Sequence, residues 1–485
     1  MTFSLSLFVL LLCMFIAWRL FHSSRARGSK RLPPGPAPLP FIGNFFDVPR
    51  AGEWETFTEW GRKYGDIVYL SVAGQSAIIV NTAEAANDLM AKRSSMYSER
   101  PRLPLIELLG QGTWNLGFMN YGRPWQVRKS MMMTKLAKGS LDRFVDHLRL
   151  YSGRLIIDAT YGISILSRDH ELIRIAEKVM HNVTVALCPI FWFFNPVPLL
   201  SLWPKWLGGG RVDTLVKEFQ ENDRLLRYRP FEMVKAFVEA GSARTSYTSL
   251  LLSELDPAPG SEEEVLIRDA AAIAYGAGAD TALAVAEIFF LAMLQNPDVQ
   301  AKAREEIDRV VGGERLPSHE DRKNLPYVNA IMKEVMRWHA ATPLGIAHKL
   351  NRDDEYNGMH IPAGTLVIAN IWGILRDPSV YPEPEKFKPE RFLLDGQLYV
   401  EGRDPADLLF GFGRRVCPGI HLAQECIFLL IAQVLATFVI TTIDGKPAPH
   451  VEMTSGGASF PSPYKCNIRL RSDGTRELIT MGECS

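Results

Sequence analysis

Phe410-Gly-Phe-Gly413-Arg-Arg415-Val-Cys417-Pro-Gly419 is the stretch on which the fold turns. Gly411, Gly413 and Gly419 permit backbone turns and the close approach of a flat ligand. Pro418 suits the first turn of a helix, and Ile420 to Phe438 is a strongly apolar helical run. Cys417 then sits just before a helix amino terminus. Unpaired N–H groups and the helix dipole there stabilise an anion, so the thiolate form is favoured. By default, a lone cysteine beside a glycine-rich turn is a buried structural residue. The spacing Phe-x-x-Gly-x-Arg-x-Cys-x-Gly is far more specific, and every fixed position is filled. Such a thiolate is what a cysteine-ligated haem iron needs, since its electron push favours O–O cleavage.

Working upstream, three segments serve such a loop. Glu334 and Arg337 stand at i and i+3 in a helical pattern, so their side chains share a face. Pro389-Glu-Arg391-Phe392 offers a second arginine. Either piece alone is an ordinary surface pair, worth about 0–1 kcal/mol. Ala277-Gly-Ala-Asp280-Thr281 lies midway along the longest helical run, from about Glu263 to Leu294. Gly276 and Gly278 weaken that helix by up to about 1 kcal/mol each, which makes room for oxygen and water. Asp280 and Thr281 supply an acid and a hydroxyl for proton transfer. Taken alone, these small residues read as helix packing.

Together, in this order, the motifs resemble those of the cytochrome P450 superfamily. Pro343 to Lys349, Trp372 to Pro378 and Tyr381 to Pro384 look like its fungal microsomal branch, which tailors secondary metabolites. The resemblance runs from the amino terminus to about residue 470. It implies a mainly α fold with small β-sheets (α+β), preceded by one membrane helix. It implies haem b ligated by Cys417, in a cofactor site with Phe410, Gly413, Arg415 and Gly419. Arg415 and His348 would pair with haem propionates. Glu334, Arg337 and Arg391 would form a buried network holding the loop, and Thr281 with Asp280 would relay protons. The implied partners are NADPH–cytochrome P450 reductase, cytochrome b5 and a lipophilic small molecule.

One region departs from the pattern. Similar proteins have Trp followed four residues later by Arg. Here Trp125 is followed by Lys129, with Arg128 beside it. Either cation can reach a propionate, but Lys lacks the bidentate fork. The stretch from Ser130 to Leu141 is also shorter than in similar proteins, which bears on reductase docking and on haem retention.

The chain has 485 residues, 47% of them hydrophobic, enough for a large core. Basic and acidic residues balance at 54 each, which argues against a nucleic-acid binder. Cys13, Cys188, Cys417, Cys426, Cys466 and Cys484 include no C-x-x-C pair, so neither a disulfide framework nor a zinc site is expected. Phe3 to Trp18 is almost wholly apolar, and Leu20 and Phe21 extend it past a snorkelling Arg19. It lacks both a preceding positive charge and a small-x-small cleavage site, so a retained anchor is expected rather than a cleaved signal. Arg25, Arg27, Lys30 and Arg31 follow, which places the bulk of the chain on the cytoplasmic side of the endoplasmic reticulum membrane. There Asn182-Val-Thr184 would never meet the glycosylation machinery. Leu32 to Pro40 carries five prolines and reads as a stiff spacer. The expected organisation is an anchor over 1–21, a basic and proline-rich linker over 22–45, a catalytic domain over 46–475 and a tail over 476–485.

Within the domain, Ile67 to Leu70 and Ala77 to Val80 predict a hairpin. Most of residues 84–340 read as helix, including Pro297 to Val311 and Tyr327 to His339. Strand signals return at His360-Ile361, Thr365 to Ile368 and Lys465 to Leu470. The aromatic stretch from Phe191 to Leu207 fits either core or a loop dipping into the bilayer. Pocket residues are expected near Leu103 to Leu116, Ala272 to Thr281, Thr342 to Ile346 and Gly456 to Phe460. Gly208-Gly-Gly210 lacks the context of a phosphate loop, so electrons are expected from a separate reductase. The substrate is expected to be apolar, with a terpenoid favoured. Two other readings stand beside this one. The first is a haem-thiolate isomerase or dehydratase without a redox partner, against which Asp280 and Thr281 count. The second is a non-catalytic remnant that cannot hold haem.

Overall fold

The structure, a computed structural model, describes residues 31–108, 110–111, 115, 118, 156–165, 170–187, 209–443 and 447–472. The expected anchor, Trp125, Arg128, Lys129, the short stretch after them and the aromatic stretch from Phe191 to Leu207 lie outside the described residues.

The expected hairpin forms from β1 (Ile67–Val72) and β2 (Gln75–Val80), with Ile67 opposite Val80. Strands β3 (His348–Lys349) and β4 (Leu366–Ala369) complete its sheet from far along the chain. β4 joins β2 in parallel, β3 pairs antiparallel with β4, and the order is β1-β2-β4-β3. All four residues of β4 are buried, as suits an interior strand covered on both faces.

Edge strand β1 is covered by the proline-rich segment. Tyr69 N–H donates to Pro34 O at 2.8 Å, and Asn44 N–H donates to Ser71 O at 2.6 Å. Gly35 passes so close that a Cβ there would stand 2.0 Å from Tyr69 O. The stretch from Leu32 to Pro40, expected as a stiff spacer, is thus not held clear of the domain: residues from Pro34 to Asn44 lie against the sheet. A strand edge left open carries unpaired backbone groups, and this segment pairs them.

The central helix Glu262–Gln295 is the longest among the described residues. Ser261 caps it, accepting the Glu264 N–H at 3.2 Å, and Glu262, Glu263 and Glu264 fill its first turn. Acidic side chains there suit the positive end of the helix dipole. The helix is apolar on every side, as a core helix must be. It packs against a second apolar helix, Ile420–Thr437. By length and composition both could cross a membrane. Here they share one core, in which Ile288, Phe289, Phe428 and Ile431 are wholly buried. The apolar run ends one residue earlier than its sequence suggests. Phe438 opens the strand Phe438–Thr441, which pairs with Asn467–Leu470.

Gly276 and Gly278 serve packing rather than a gap. A Cβ at 276 would meet Met180 Sδ at 3.3 Å, and one at 278 would meet Ile156 Cγ2 at 3.2 Å. The helix runs unbroken through both. Its lack of side chains at these two points admits the helix Glu171–Ala186 and the helical residues 156–161.

The helix Pro326–Trp338 is buried from Tyr327 onward. Glu306, on the neighbouring helix Pro297–Val310, accepts the N–H groups of Tyr327 and Val328 at 2.9 and 3.0 Å. That pairs donors which a helix start leaves over.

Candidate functional site

The Cys417 loop is a tight return. Phe410 O accepts the Cys417 N–H at 2.7 Å, and the 3-10 turn Gly413–Arg415 lies between them. Gly411 and Gly413 hold φ at 80° and 52°, where other residues are strained. A Cβ at Gly413 would stand 2.7 Å from Met90 O, so the loop rests directly on the turn Asn87–Lys92. Gly419 caps the helix Ile420–Thr437, and Pro418 precedes that helix instead of opening it. A Cβ at Gly419 would stand 3.8 Å from Cys417 Sγ, an ordinary contact distance that places this glycine directly beside the sulfur. Cys417 is half-buried. By contrast, burial pushes the Cys426 thiol up to about 12 and raises that of Cys466. Among the three described cysteines, the one in the loop is the one placed for thiolate chemistry.

The three expected network residues meet. Arg337 and Glu334 are wholly buried, and the Arg391 side chain is 5% exposed. Arg337 donates through Nε and Nη2 to the two Glu334 oxygens, and Arg391 Nε adds a third bond at 3.2 Å. Lys388 N–H donates to Glu334 Oε1 at 2.8 Å. Further carbonyls take the remaining guanidinium protons: Leu375 O from Arg337, and Pro382 O from Arg391. Phe392, which follows Arg391, shares a core cluster with Phe412 of the Cys417 loop. The network is thus tied to the loop through packing.

Three buried basic side chains stand beside the loop. Arg415 Nε donates to Ser98 O at 2.7 Å. His348 Nδ1 donates to Tyr97 O at 2.7 Å. Arg100 Nη1 donates to Ile346 O and Ala347 O at 2.6 and 2.8 Å. All three side chains are buried. Burial first, then Arg415, holds the Arg100 guanidinium well below its ordinary value. Burial first, then Arg100, does the same to the His348 imidazole. Arg100 is absent from the sequence expectations. Its place follows from the pairing of Glu99 with Lys349, which no local pattern announces.

Thr281 and Asp280 lie on a less buried stretch in the middle of the central helix. Ala277 is exposed and Gly278 to Ala282 are half-buried, between stretches that are mostly buried. Thr281 Oγ1 donates to Ala277 O at 2.9 Å. Ala279 of this stretch and Leu422, near the start of the helix after Cys417, pack on the same core cluster. The less buried stretch and the Cys417 loop therefore border one region.

Other expected pocket segments converge as well. Ser459 N–H donates to Ala341 O at 2.8 Å, which joins the turn 456–460 to the segment before Thr342. A Cβ at Gly456 would meet Thr184 Cγ2 at 2.9 Å. Leu103, Ile106, Leu187 and Leu344 share one core cluster.

A cysteine loop at the foot of one apolar helix, an acid–alcohol pair on the helix packed against it, and buried basic side chains alongside define a haem-thiolate protein. The comparisons agree. The family described as cytochrome P450 matches residues 33–156 and 144–468. Cytochrome P450 monooxygenase COX2 of Coprinopsis cinerea is 36% identical over 496 aligned residues, spanning 96% of this chain and 94% of that protein. Cytochrome P450 monooxygenase claR of Ampulloclitocybe clavipes is 38% identical, spanning 93% of this chain and 88% of that one. Cytochrome P450 monooxygenase ppsD of Aspergillus oryzae is 35% identical, with 96% and 93% spanned. This chain belongs to the cytochrome P450 family. It is a monooxygenase whose cofactor is haem b on a cysteine thiolate. Both pieces of the family match claim residues 144–156. The overlap begins at Phe144, just beyond the stretch from Ser130 to Leu141 that the sequence marks as short.

The residues present fit the cofactor. A half-buried Cys417, separated by Pro418 and Gly419 from the helix Ile420–Thr437, would suit a thiolate ligand. Arg415 disfavours the charged forms of Arg100 and His348, and Arg100 that of His348; the two carboxylates of haem would relieve that.

Proposed function

We propose that Cys417 is the axial thiolate and that this monooxygenase oxidises an apolar small molecule of fungal secondary metabolism, a terpenoid being favoured. The observation that carries the reading is the Cys417 loop, packed at the helix that faces the less buried stretch from Ala277 to Thr281. Haem, when bound, supplies the activation of O2 from which one oxygen atom enters the substrate.

The chain's own residues do the rest. Phe410, Gly413 and Gly419 shape the loop around the sulfur. Arg415, His348 and Arg100 would hold the propionates, together with Trp125 and Arg128 or Lys129. Glu334, Arg337 and Arg391 fix the loop from beneath. Thr281 holds a proton at Oγ1 and Asp280 replenishes it, so that protons arrive singly at the reacting oxygen. Apolar residues along the central helix, with Leu344 and the turn 456–460, line the substrate side and exclude bulk water. Electrons come from NADPH through a separate flavoprotein reductase, with cytochrome b5 as a second donor. Residues 1–21 anchor the chain in the endoplasmic reticulum membrane, which suits delivery of a lipophilic substrate.

The test is a carbon monoxide difference spectrum of the reduced full chain beside a Cys417→Ala variant. A thiolate-type Soret band in the first and its loss in the second support the ligand assignment. A thiolate band that survives in Cys417→Ala overturns it. Reductase-dependent transfer of heavy oxygen from O2 into a terpenoid then tests the substrate class.

A further inference from the structure

Lys333 stands one residue before Glu334 on the helix Pro326–Trp338. Neighbours on a helix diverge by about 100°, so the two side chains serve different partners. Lys333 is 5% exposed. Its Nζ donates to both oxygens of Asp404, at 2.9 and 2.6 Å. An apolar pair of similar size would be about as stable as a buried ion pair. Stability alone therefore gives no reason for charge at this place.

Asp404 leads to the cysteine loop. Its Oδ1 also accepts the Ala406 N–H at 2.9 Å, at the start of the short helix Ala406–Leu409. Pro405 O accepts the Leu409 N–H at 3.0 Å, and Ala406 O accepts the Phe410 N–H at 3.4 Å. Phe410 O in turn accepts the Cys417 N–H at 2.7 Å. A run of hydrogen bonds thus connects Lys333 to the amide of Cys417. The residue before Asp404 is held as well: Tyr381 Oη donates to Arg403 O at 3.0 Å. Lys333 also lets two acids share this turn. Burial first, then Asp404, raises the Asp407 carboxyl, and Lys333 lowers it.

We propose that Lys333 and Asp404 are positioning residues: they set the turn whose Phe410 carbonyl holds the Cys417 amide, and so keep the sulfur in place as a thiolate. This rests on Cys417 as the axial ligand. The Glu334 network reaches the loop through apolar packing of Phe392 with Phe412, whereas Lys333 reaches it through directed hydrogen bonds. Packing fixes where the loop lies, and the hydrogen bonds fix how its backbone turns.

The test uses the full chain with haem and reads two quantities. One is the carbon monoxide difference spectrum of the reduced protein. The other is amide hydrogen exchange over residues 406–417. In Lys333→Met the thiolate-type band gives way in part to a thiol-type band, and exchange quickens about tenfold. Lys333→Arg, which keeps a donor for Asp404, recovers most of both. A double variant, Lys333→Met with Asp404→Leu, leaves neither member of the pair behind. It regains the parent's Tm but keeps the thiol-type band and the fast exchange, because the Ala406 N–H lacks its acceptor. If the pair only stabilises the fold, the double variant regains the parent's spectrum together with its Tm. A parent-like spectrum or parent-like exchange in the double variant overturns the positioning role, as it does in Lys333→Met. Should Lys333→Met fail to fold, the double variant decides alone. Cys417→Ala keeps the two readings apart. A thiolate-type band that survives there overturns the ligand assignment, and the positioning role falls with it. A band lost there but intact in the double variant overturns the positioning role alone.

Discussion

Arg337 meets Glu334 in a two-pronged ion pair, Nε to Oε2 at 2.7 Å and Nη2 to Oε1 at 2.9 Å, with both side chains wholly buried. Arg391 leans on the same carboxylate. Removing Glu334 would leave two guanidiniums buried without their shared counter-charge. Breaking such a network costs roughly 3–5 kcal/mol. We expect Glu334→Ala to give protein lacking haem, with a lowered Tm, and not a slow holoenzyme. The ratio of haem to polypeptide decides it: haem-replete protein with normal absorbance refutes the prediction.

Arg100 is predicted to retain haem through a propionate. Loss of a hydrogen bond to a charged group costs about 1.5–3 kcal/mol, which is about ten- to hundred-fold in haem release. Arg100→Leu should release haem to a scavenging apoprotein faster by that factor. Arg102→Leu is the control, since that side chain is 78% exposed and pairs with Glu107 at the surface. Equal release rates in the two variants would remove Arg100 from the site.

Thr281→Ala should separate electron consumption from product. NADPH oxidation continues while product falls and hydrogen peroxide rises, because the Oγ1 proton is gone. Thr281→Ser, which keeps a hydroxyl, should restore much of the coupling. A Thr281→Ala enzyme that couples as well as the parent would end the relay assignment.

His339 gives a pH signature. Its ring stacks edge-on against Trp338 at 4.3 Å between centroids, and burial, then Arg376 and Arg337, hold the imidazole down to about 3. In the unfolded chain it titrates near about 6.5. Between those values the unfolded state binds the extra proton, so stability is lost as pH falls through the window. The loss approaches about 1.4 kcal/mol per pH unit. His339→Phe should flatten the fall of Tm between pH 6 and pH 4 by this one-proton amount (a window chosen inside the titration range). An unchanged slope counts against a neutral buried His339.

Much of this site is legible in order along the chain. Cys417, Arg415, Glu334, Arg337, Arg391 and Thr281 sit in spaced motifs whose chemistry is local: a turn, an i to i+3 pair, a helix face. The helices Glu262–Gln295 and Pro326–Trp338 were equally plain, because their apolar patterns and start signals are continuous in sequence. What escaped is relational. Arg100 acquires its role only when residues 97–100 lie beside 346–349. The proline-rich segment looked like a spacer because its partner, the edge of β1, is read from backbone groups that no side chain advertises. Gly276 and Gly278 looked like a weak point over a ligand, yet Met180 and Ile156 fill the space beside them.

The sequence by itself determined the ligand loop, the helical class and the reaction family, since each depends on residue type at short spacing. The tertiary structure alone decided which buried basic side chains gather beside that loop and which apolar residues remain outside the core. Those outcomes depend on contacts between segments hundreds of residues apart, such as Tyr97 with His348 and Ser98 with Arg415. Burial and charge there are properties of the packed assembly, not of any one stretch.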